Sequence, residues 1–315
     1  MSGEDNAMPK ILITGCLGLV GSECVSFFEE KGWDVIGIDA NMRSFFFGTE
    51  KQYSDKKNLF DIDIRDKVST EDLFKSHTFD AVIHAAAQPS HDWAASDPIT
   101  DFDINARGTL ILLEAARKYC PDAVFVHVST DKVYGENMQG EKLSDENLGL
   151  DFAGKRSLFG CSKAAADMYV QEYRNYFNMK TVCFRPGCIT GRQHQGAEQH
   201  GFLAYVAKCG REGITYNIYG DGNAVRDQIH ARDLANAFYH YIQNPKGDVY
   251  NIGGGPERAI SVLDAVKTFN VQNYTFDNKR KGDRDYDIHD VSKFRRDYPE
   301  WSYTYSLKDI IDQLK

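Results

Sequence analysis

The chain has 315 residues and a formal net charge of −9, with 37 Lys and Arg against 46 Asp and Glu. A chain of this length forms one large or two moderate domains and needs no disulfide or metal to complete its core. Its acidity argues against a protein that wraps nucleic acid or lies on anionic lipid, so a phosphate-bearing ligand would require a local group of arginines.

The apolar runs of the chain are short. The longest, Leu110–Leu113 and Ala123–Val126, fall far below the ~20 residues of a membrane span. The first ten residues are polar and acidic and lack the apolar region of a signal peptide. Seven cysteines without metal-like spacing are typical of reduced thiols. We therefore expect a cytoplasmic protein that binds neither membrane nor nucleic acid.

From Lys10 to Arg185 the sequence alternates between short β-rich runs and longer helical stretches. Strands are predicted over Lys10–Thr14, Val35–Asp39, Asn58–Ile64, Ala81–Ala85, Val124–Ser129 and Thr181–Arg185, and helices over Ser22–Lys31, Val68–Lys75, Asp103–Tyr119 and Ser162–Phe177. Nearly continuous apolar strands that alternate with helices are typical of the α/β class. They predict a doubly wound parallel sheet (a Rossmann fold) covered on both faces.

The alternation ends near Pro186, where glycines and polar residues become frequent. We predict that residues 1–185 form the Rossmann domain and that residues 228–255 return to it. Residues 186–227 and 256–315 are predicted to form a smaller mixed α/β lobe that binds substrate. The ligand is then expected in the cleft at the carboxyl ends of the strands.

A T-G-x-x-G-x-x-G segment follows the first predicted strand and begins the first helix. Gly15 permits a tight turn, Gly18 lets the backbone approach a pyrophosphate, and Gly21 allows close helix packing. Asp39 ends the second strand, where a carboxylate can accept hydrogen bonds from an adenosine ribose and repels a 2′-phosphate. These features predict NAD rather than NADP, although Arg43 weakens that discrimination. A purely structural glycine turn is the alternative.

Further motifs lie near the ends of the following strands. They are Asp63-Ile64, His84-Ala85-Ala86-Ala87, Asn105 in the long helix, and S-T-D-K-V-Y-G from Ser129. With the glycine loop they resemble the extended branch of the short-chain dehydrogenase/reductase superfamily, the NAD-dependent nucleotide-sugar epimerases and dehydratases. The T-D-K-V-Y-G, N-A-R-G-T-L and F-R-P-G-C-I-T-G segments are most similar to the CDP-paratose 2-epimerase (CDP-tyvelose epimerase) family. The resemblance covers nearly the whole chain.

The resemblance implies roles for individual residues. The implied NAD contacts are Gly15, Gly18, Leu19, Val20, Gly21, Asp39, Asn41, Arg43, Asp63, Ile64, Ala85, Ala86, Ala87, Asn105, Ser129 and Lys163. Thr130 would hydrogen-bond the sugar hydroxyl that is oxidised. Arg226 and Arg280 would clamp the diphosphate of the substrate, and Cys188 would be a polar substrate contact. Independently of the resemblance, Arg192 in the polar run 192–195 is a candidate contact to the nucleotide base, with an ordinary polar loop as the alternative.

One residue departs from the superfamily pattern. Its catalytic pair is Tyr-x-x-x-Lys, with both side chains on one helix face, but here Phe159 precedes Lys163 in the tyrosine slot. A phenyl ring can neither ionise nor donate a hydrogen bond. An engineered variant, a natural enzyme with another base, and a protein that binds dinucleotide without turnover all remain open. The candidate bases are Asp131, Cys188, His194 and a water held by Thr130 and Lys163.

Metal sites are not expected, because the sequence has no H-x-x-x-H or C-x-x-C pair. The isolated histidines His77, His91 and His240 are interpreted as surface or core residues. Lys132 follows Asp131 where sugar 4,6-dehydratases carry Asp-Glu, so one acid–base group for eliminating water is missing.

We therefore predict an epimerase that acts on a CDP-, UDP- or GDP-hexose through a transient keto sugar. A CDP-hexose 2-epimerase is favoured. The alternatives are a weak or inactive binding protein and a 4-epimerase or dehydratase of the same superfamily. By family analogy, helices Asp103–Tyr119 and Ser162–Phe177 would form a homodimer interface.

Overall fold

The computed structural model describes residues 7–42, 58–135, 150, 155–191, 201–247, 249–280 and 283–315. The strands are β1 (Lys10–Thr14), β2 (Asp34–Asp39), β3 (Leu59–Asp61), β4 (Ala81–His84), β5 (Val124–Val128), β6 (Thr181–Pro186), β7 (Cys188–Thr190), β8 (Tyr216–Tyr219), β9 (Val225–His230), β10 (Val249–Ile252), β11 (Ala259–Ser261), β12 (Tyr274–Asp277) and β13 (Tyr286–Asp287).

The helices lie between these strands. They are α1 (Leu19–Glu30), α2 (Lys67–Ser76), α3 (His91–Ser96), α4 (Pro98–Phe102), α5 (Gly108–Tyr119), α6 (Leu158–Phe177), α7 (Phe202–Glu212), α8 (Ala231–Gln243), α9 (Val262–Thr268), α10 (Ser292–Asp297) and α11 (Leu307–Leu314). A π-helical turn spans Asp103–Arg107, and 3₁₀ turns span Asp131–Tyr134 and Pro256–Arg258. Among the described helices none is long and apolar enough to cross a bilayer.

Seven of the described strands form one sheet in the order β10-β6-β5-β4-β1-β2-β3. All of its neighbouring strands run parallel. The chain adds β2 and β3 on one side of β1 and then crosses to β4 on the other side. The predicted doubly wound parallel sheet is therefore confirmed, and its strand order reverses between β1 and β4, where such sheets bind their ligands.

Both faces of this sheet are buried, which explains the nearly continuous apolar strands. In β1, Ile11 and Ile13 pack on one side with α1 and α8. Leu12 packs on the opposite side with α2 and α5. Successive strand residues point to opposite faces, so each must be apolar when helices cover both.

The C-terminal lobe has a separate apolar core that includes Leu203, Ile218 and Ile310. Its strands form a sheet β11-β9-β13, with β7 paired to β9, and a ribbon β12-β8. Strand β10 (Val249–Ile252) joins the main sheet, whereas β9 pairs with β7, β11 and β13. The domain division stays a prediction.

Several element boundaries differ from the predicted ones, among them those of α6, β3 and the helix predicted over Asp103–Tyr119. Helix α6 begins four residues before the predicted Ser162, because the Ser157 hydroxyl caps it by accepting the Gly160 N–H at 3.1 Å. Phe159 therefore lies in its first turn. Strand β3 is shorter than the predicted Asn58–Ile64. The predicted helix Asp103–Tyr119 is divided into a π turn and an α-helix.

Candidate active site

The glycine loop joins β1 to α1 through a turn that side chains would block. Gly15 has a φ of +68°, and its N–H donates to the Ile38 carbonyl at 2.8 Å. A Cβ on Gly15 would stand 2.7 Å from the Ala86 nitrogen, and one on Gly21 would stand 2.0 Å from the Gly15 oxygen. This close packing directs the free N–H groups at the start of α1 toward the end of β1, an arrangement suited to phosphate.

A cavity of about 410 Å³ opens at the carboxyl ends of the parallel strands and reaches the start of α7. It brings together most of the residues predicted for the site. Those that line it are Gly15, Gly18, Leu19, Val20, Gly21, Asp39, Asp63, Ile64, Ala85, Ala86, Ala87, Ser129, Thr130, Phe159, Lys163 and Cys188.

Asp39 is fixed where β2 ends beside the glycine loop. Its carboxylate accepts the Leu17 N–H at 3.0 Å and the Asn41 N–H at 2.7 Å. Asn41, which adopts a positive φ of 56°, does not line the cavity. Asp63 also lines the cavity, and its Oδ2 forms an ion pair with Nη2 of Arg65 at 2.6 Å. Burial raises the pKa of Asp63, but the hydrogen bonds from Arg65 outweigh it and leave that pKa below its usual value.

Asn105 lies behind the cavity wall rather than in it. Its buried amide donates to the Gln88 carbonyl, to Asp101 and to the Ser162 hydroxyl, each at 3.0 Å. Asn105 therefore fixes the segment after β4 against α6. Asn105 does not line the cavity, and the cofactor contact that the resemblance implies for it stays a prediction.

The arginines predicted to bind the substrate are spread over the C-terminal lobe. Arg226 lines a second cavity of about 260 Å³, together with Tyr219 and Arg284. The Arg280 guanidinium lies over the Tyr219 ring, 3.8 Å from its centroid, and 4.0 Å from Asp92. Arg43, Arg192 and His194 fall outside the described residues.

Lys163 and Phe159 lie one helical turn apart on α6 and face the cavity together. The buried Lys163 ammonium donates to the Val128 carbonyl at 2.7 Å. Burial lowers the pKa of Lys163 to about 8, although Asp167 opposes the change. Phe159 is also buried, at the sequence position where the resemblance implies the tyrosine of the Tyr-x-x-x-Lys pair.

Two of the candidate bases are poorly suited to accept a proton. The Asp131 carboxylate contacts Arg284 and the Lys132 ammonium, the latter at 3.0 Å, and it also accepts the Thr130 hydroxyl at 3.1 Å. These contacts engage both carboxylate oxygens, which leaves little room for a substrate hydroxyl. Burial raises the pKa of Cys188 to about 12, so its thiol stays protonated at neutral pH.

A charged cluster next to the main cavity was not predicted from the sequence. It consists of Asp131, Lys132, Asp227, Arg284, Asp287 and His289. Lys132 reaches Asp287 at 2.7 Å, and Arg284 reaches it at 3.3 Å. Burial opposes protonation of His289, but Asp227 at 3.0 Å outweighs it and raises the pKa of His289 to about 9. The one sequence signal was the dense run of charges after Arg280.

Asp131, Asp287 and His289 also place metal-ligand atoms within 4.8 Å of one another. The cations Lys132 and Arg284 already contact both carboxylates, and Nδ1 of His289 pairs with the Asp227 carboxylate at 3.0 Å. The cluster thus balances its own charge, and we assign no metal to it.

His91 is the other residue whose position the sequence analysis did not foresee. Its imidazole lines the main cavity and contacts the Phe159 ring, with the centroids 4.9 Å apart and the planes at 59°. His91 is exposed, in agreement with its interpretation as a surface residue, but its contact with Phe159 was not predicted. No local sequence signal reveals it, because α3 and α6 meet only in the folded chain.

The chain is similar to several curated proteins. Residues 11–253 match the family model described as "NAD dependent epimerase/dehydratase family". CDP-paratose 2-epimerase of Salmonella typhi is 30% identical over 97% of this chain and 98% of that protein. dTDP-glucose 4,6-dehydratase of Escherichia coli is 30% identical over 82% of this chain and 75% of that protein.

Two solved structures share the fold over almost the entire chain. UDP-glucose 4-epimerase of Thermotoga maritima, crystallised with UDP-glucose, has 26% identity and a TM-score of 0.84, with 97% of each chain covered. UDP-glucose 4-epimerase of Thermus thermophilus, in complex with NAD, has 25% identity and a TM-score of 0.82, with 97% of this chain and 98% of that chain covered.

Proposed function

The chain belongs to the NAD dependent epimerase/dehydratase family, and from this premise we propose that it epimerises a nucleotide-diphosphate sugar by transient oxidation of a carbinol carbon. Family membership confirms the predicted NAD cofactor. The observation that carries the proposal is one cavity that joins the glycine loop, Asp39, Thr130 and Lys163.

The residues of the cavity fit NAD. A side chain at Gly15 or Gly21 would collide with the protein's own backbone, so glycine at both positions permits the tight turn that brings the loop backbone to the cavity. The N–H groups at the start of α1 would hold the phosphates, and Asp39 would accept hydrogen bonds from the adenosine ribose. Lys163 would bind the ribose on the nicotinamide side. When bound, the nicotinamide supplies a hydride acceptor and donor.

On the substrate side, Thr130 would hydrogen-bond the sugar hydroxyl that loses its proton. Arg226 and Arg280 would bind the diphosphate, where paired guanidinium groups match the oxygen geometry. We propose Arg192 and Cys188 as further contacts. Similarity to CDP-paratose 2-epimerase over 97% of the chain supports a CDP-linked hexose and oxidation at C2.

The test begins with the dinucleotide that co-purifies with the protein, released and identified by mass spectrometry. The protein is then incubated in D₂O with CDP-, UDP- and GDP-hexoses, and the products are examined by NMR. We expect a C2 epimer of the CDP-hexose that carries no deuterium at C2, because the hydride returns to the carbon from which it came. Deuterium at C2 would contradict transient oxidation, and a C4 epimer would change the assigned carbon.

Phe159 favours a second candidate, a protein that binds NAD and a nucleotide sugar with little or no turnover. General acid–base help is worth ~10²–10⁴-fold in rate, whereas binding does not need the phenol. Phe159→Tyr should raise turnover at least severalfold if the slot keeps the usual geometry beside Lys163. Tight binding of both ligands without any product from either protein would favour this second candidate.

We also propose a cytoplasmic homodimer formed through α5 and α6. Helix α6 leaves Tyr169, Tyr176 and Phe177 exposed, and Tyr176 is 81% exposed. Exposed aromatic residues on one helix are typical of a surface that a partner covers. Tyr176→Glu should shift the sedimentation of the protein from dimer to monomer, and an unchanged sedimentation coefficient would place the interface elsewhere.

A further inference from the structure

The phenyl ring of Phe159 leaves the cavity without the phenol that would accept the sugar hydroxyl proton. The side chain in contact with this ring is the imidazole of His91, 4.9 Å away between centroids. Both rings line the cavity that also contains Thr130 and Lys163. A titratable imidazole therefore packs against the ring that stands in the tyrosine slot and shares the cavity with it.

The backbone that carries His91 is held firmly. His91 is the first residue of α3, and the Ser90 hydroxyl caps that helix by accepting the Trp93 N–H at 3.2 Å. The buried Gln88 accepts the Ser90 N–H and donates to Asp101 at 2.7 Å. Fixed backbone on both sides of His91 limits the positions that its ring can reach, as a reacting group requires.

The charges around His91 suit a proton acceptor. Desolvation and the Lys132 ammonium lower the pKa of His91 to about 4, while Asp131, Asp283 and Asp92 oppose them. The imidazole is therefore neutral at neutral pH and has a lone pair to offer. A substrate diphosphate would add negative charge nearby, which raises the pKa of His91 toward the range in which acid–base catalysis is efficient.

We propose that His91 is the catalytic acid–base group of this chain and replaces the phenol that Phe159 lacks; the inference rests on the proposed function. In the oxidation step the carbinol C–H bond would break, and its hydrogen and electron pair would pass to the hydride acceptor that a bound nicotinamide supplies. The O–H proton moves to the His91 imidazole, and a carbonyl remains. In the return step the hydride adds to the opposite face, and the His91 imidazolium gives the proton back to oxygen.

The first test compares His91→Ala and His91→Phe with the unchanged protein. Turnover of the CDP-hexose should fall about 10²-fold or more in both variants, the scale of general acid–base help. Calorimetric affinities for NAD and CDP should stay within about twofold, because neither ligand needs the proton acceptor. His240→Ala, which removes a histidine on α8 away from the cavity, is the matched control and should keep full turnover.

Rescue separates a proton-transfer role from a structural one. Added imidazole should restore turnover to His91→Ala, which leaves space beside Phe159, but not to His91→Phe, which fills it. Phe159→Tyr should restore turnover to His91→Ala by supplying the phenol. Failure of both rescues would overturn the role of His91.

A direct titration by NMR of the imidazole nitrogens gives a readout that does not depend on turnover. The His91 signal, assigned through its absence in His91→Ala, should show a neutral ring at neutral pH with protonation near pH 4. A ring already protonated at neutral pH, or full turnover by His91→Ala, would overturn the inference. An unchanged protein that converts no nucleotide sugar would instead overturn the proposed function, and with it the role of His91.

Discussion

The glycine loop and the charged cluster meet the same cavity but are built differently. The loop uses backbone N–H groups and the absence of Cβ atoms within one short segment. The cluster joins side chains from three separate segments, including the partly exposed Lys132 and the buried Asp227 and Asp287. We therefore expect an added methyl group in the loop to weaken NAD binding. Removal of a charge from the cluster should instead lower the free energy of unfolding.

The largest effect is expected from Asp287→Ala in the charged cluster. It leaves the Lys132 ammonium and the Arg284 guanidinium without one of their buried partners. Breaking a buried ion pair in this way costs ~3–5 kcal/mol of unfolding free energy, which urea denaturation would measure. Asp285→Ala is the control, because Asp285 is 81% exposed beside Lys279 and its loss should cost less than ~0.5 kcal/mol. An equal loss of unfolding free energy in both variants would show that the buried ion pairs of Asp287 do not stabilise the fold.

Gly21→Ala tests the glycine loop. The new Cβ would stand 2.0 Å from the Gly15 oxygen, so either the loop or α1 must move. We expect a loss of NAD affinity of about 100-fold, which corresponds to ~2.7 kcal/mol, measured by calorimetry on stripped protein. Gly32→Ala has open space around it but a φ of +79°, so it should lower stability without changing that affinity. Unchanged NAD affinity in Gly21→Ala would contradict the proposal that the N–H groups at the start of α1 hold the phosphates.

The His289–Asp227 pair predicts a stability change with pH. Since folding raises the pKa of His289 from 6.5 to about 9, its stabilising effect is complete below the lower value and lost as pH rises through the higher one. The difference in unfolding free energy between the unchanged protein and His289→Gln should therefore shrink by ~2–3 kcal/mol between about pH 6 and about pH 9.5. A difference independent of pH would mean that His289 is neutral in the folded protein.

The smallest effect is expected from Asp39→Asn at the end of β2. Leu17 and Asn41 donate to different oxygens of Asp39, so the amide can accept only one of these N–H groups, and the substitution also removes the charge that repels a 2′-phosphate. NAD affinity should fall about 10-fold, or ~1.4 kcal/mol, and the preference for NAD over NADP should narrow. Asp34→Asn, at the other end of the same strand, should change neither affinity. An unaltered preference would assign the discrimination to another residue.

The sequence predicted the cofactor half of the molecule well because its signals are local. The glycine spacing, the apolar strands and the position of Asp39 each follow from neighbouring residues, and the structure places them in one cavity. The exact start of α6 was missed because it depends on the hydroxyl of Ser157, a single capping contact. That contact places Phe159 inside the helix and on the same face as Lys163.

The substrate half could be predicted only in outline. Charges after Arg280 are visible in the sequence, but their pairing with Asp131 arises where the C-terminal lobe meets the end of β5. The contact between His91 and Phe159 likewise depends on how α3 packs against α6. Tertiary packing of this kind leaves no periodic pattern in the chain, so residue type alone assigned His91 to the surface or the core.

The π-helical turn at Asp103–Arg107 has a consequence for relatives of this chain. A π turn holds an additional residue, and each residue of a helix rotates the chain by ~100° about the axis. The turn lets Asn105 aim at Gln88 while Leu112, further along, still aims at the core. Deletion of one residue from this turn would keep the core packing of α5 but rotate the Asn105 side chain away from Gln88, in the segment that leads to His91. Homologous chains that lack one residue at this turn should therefore keep the same fold but differ in the residues around the active site.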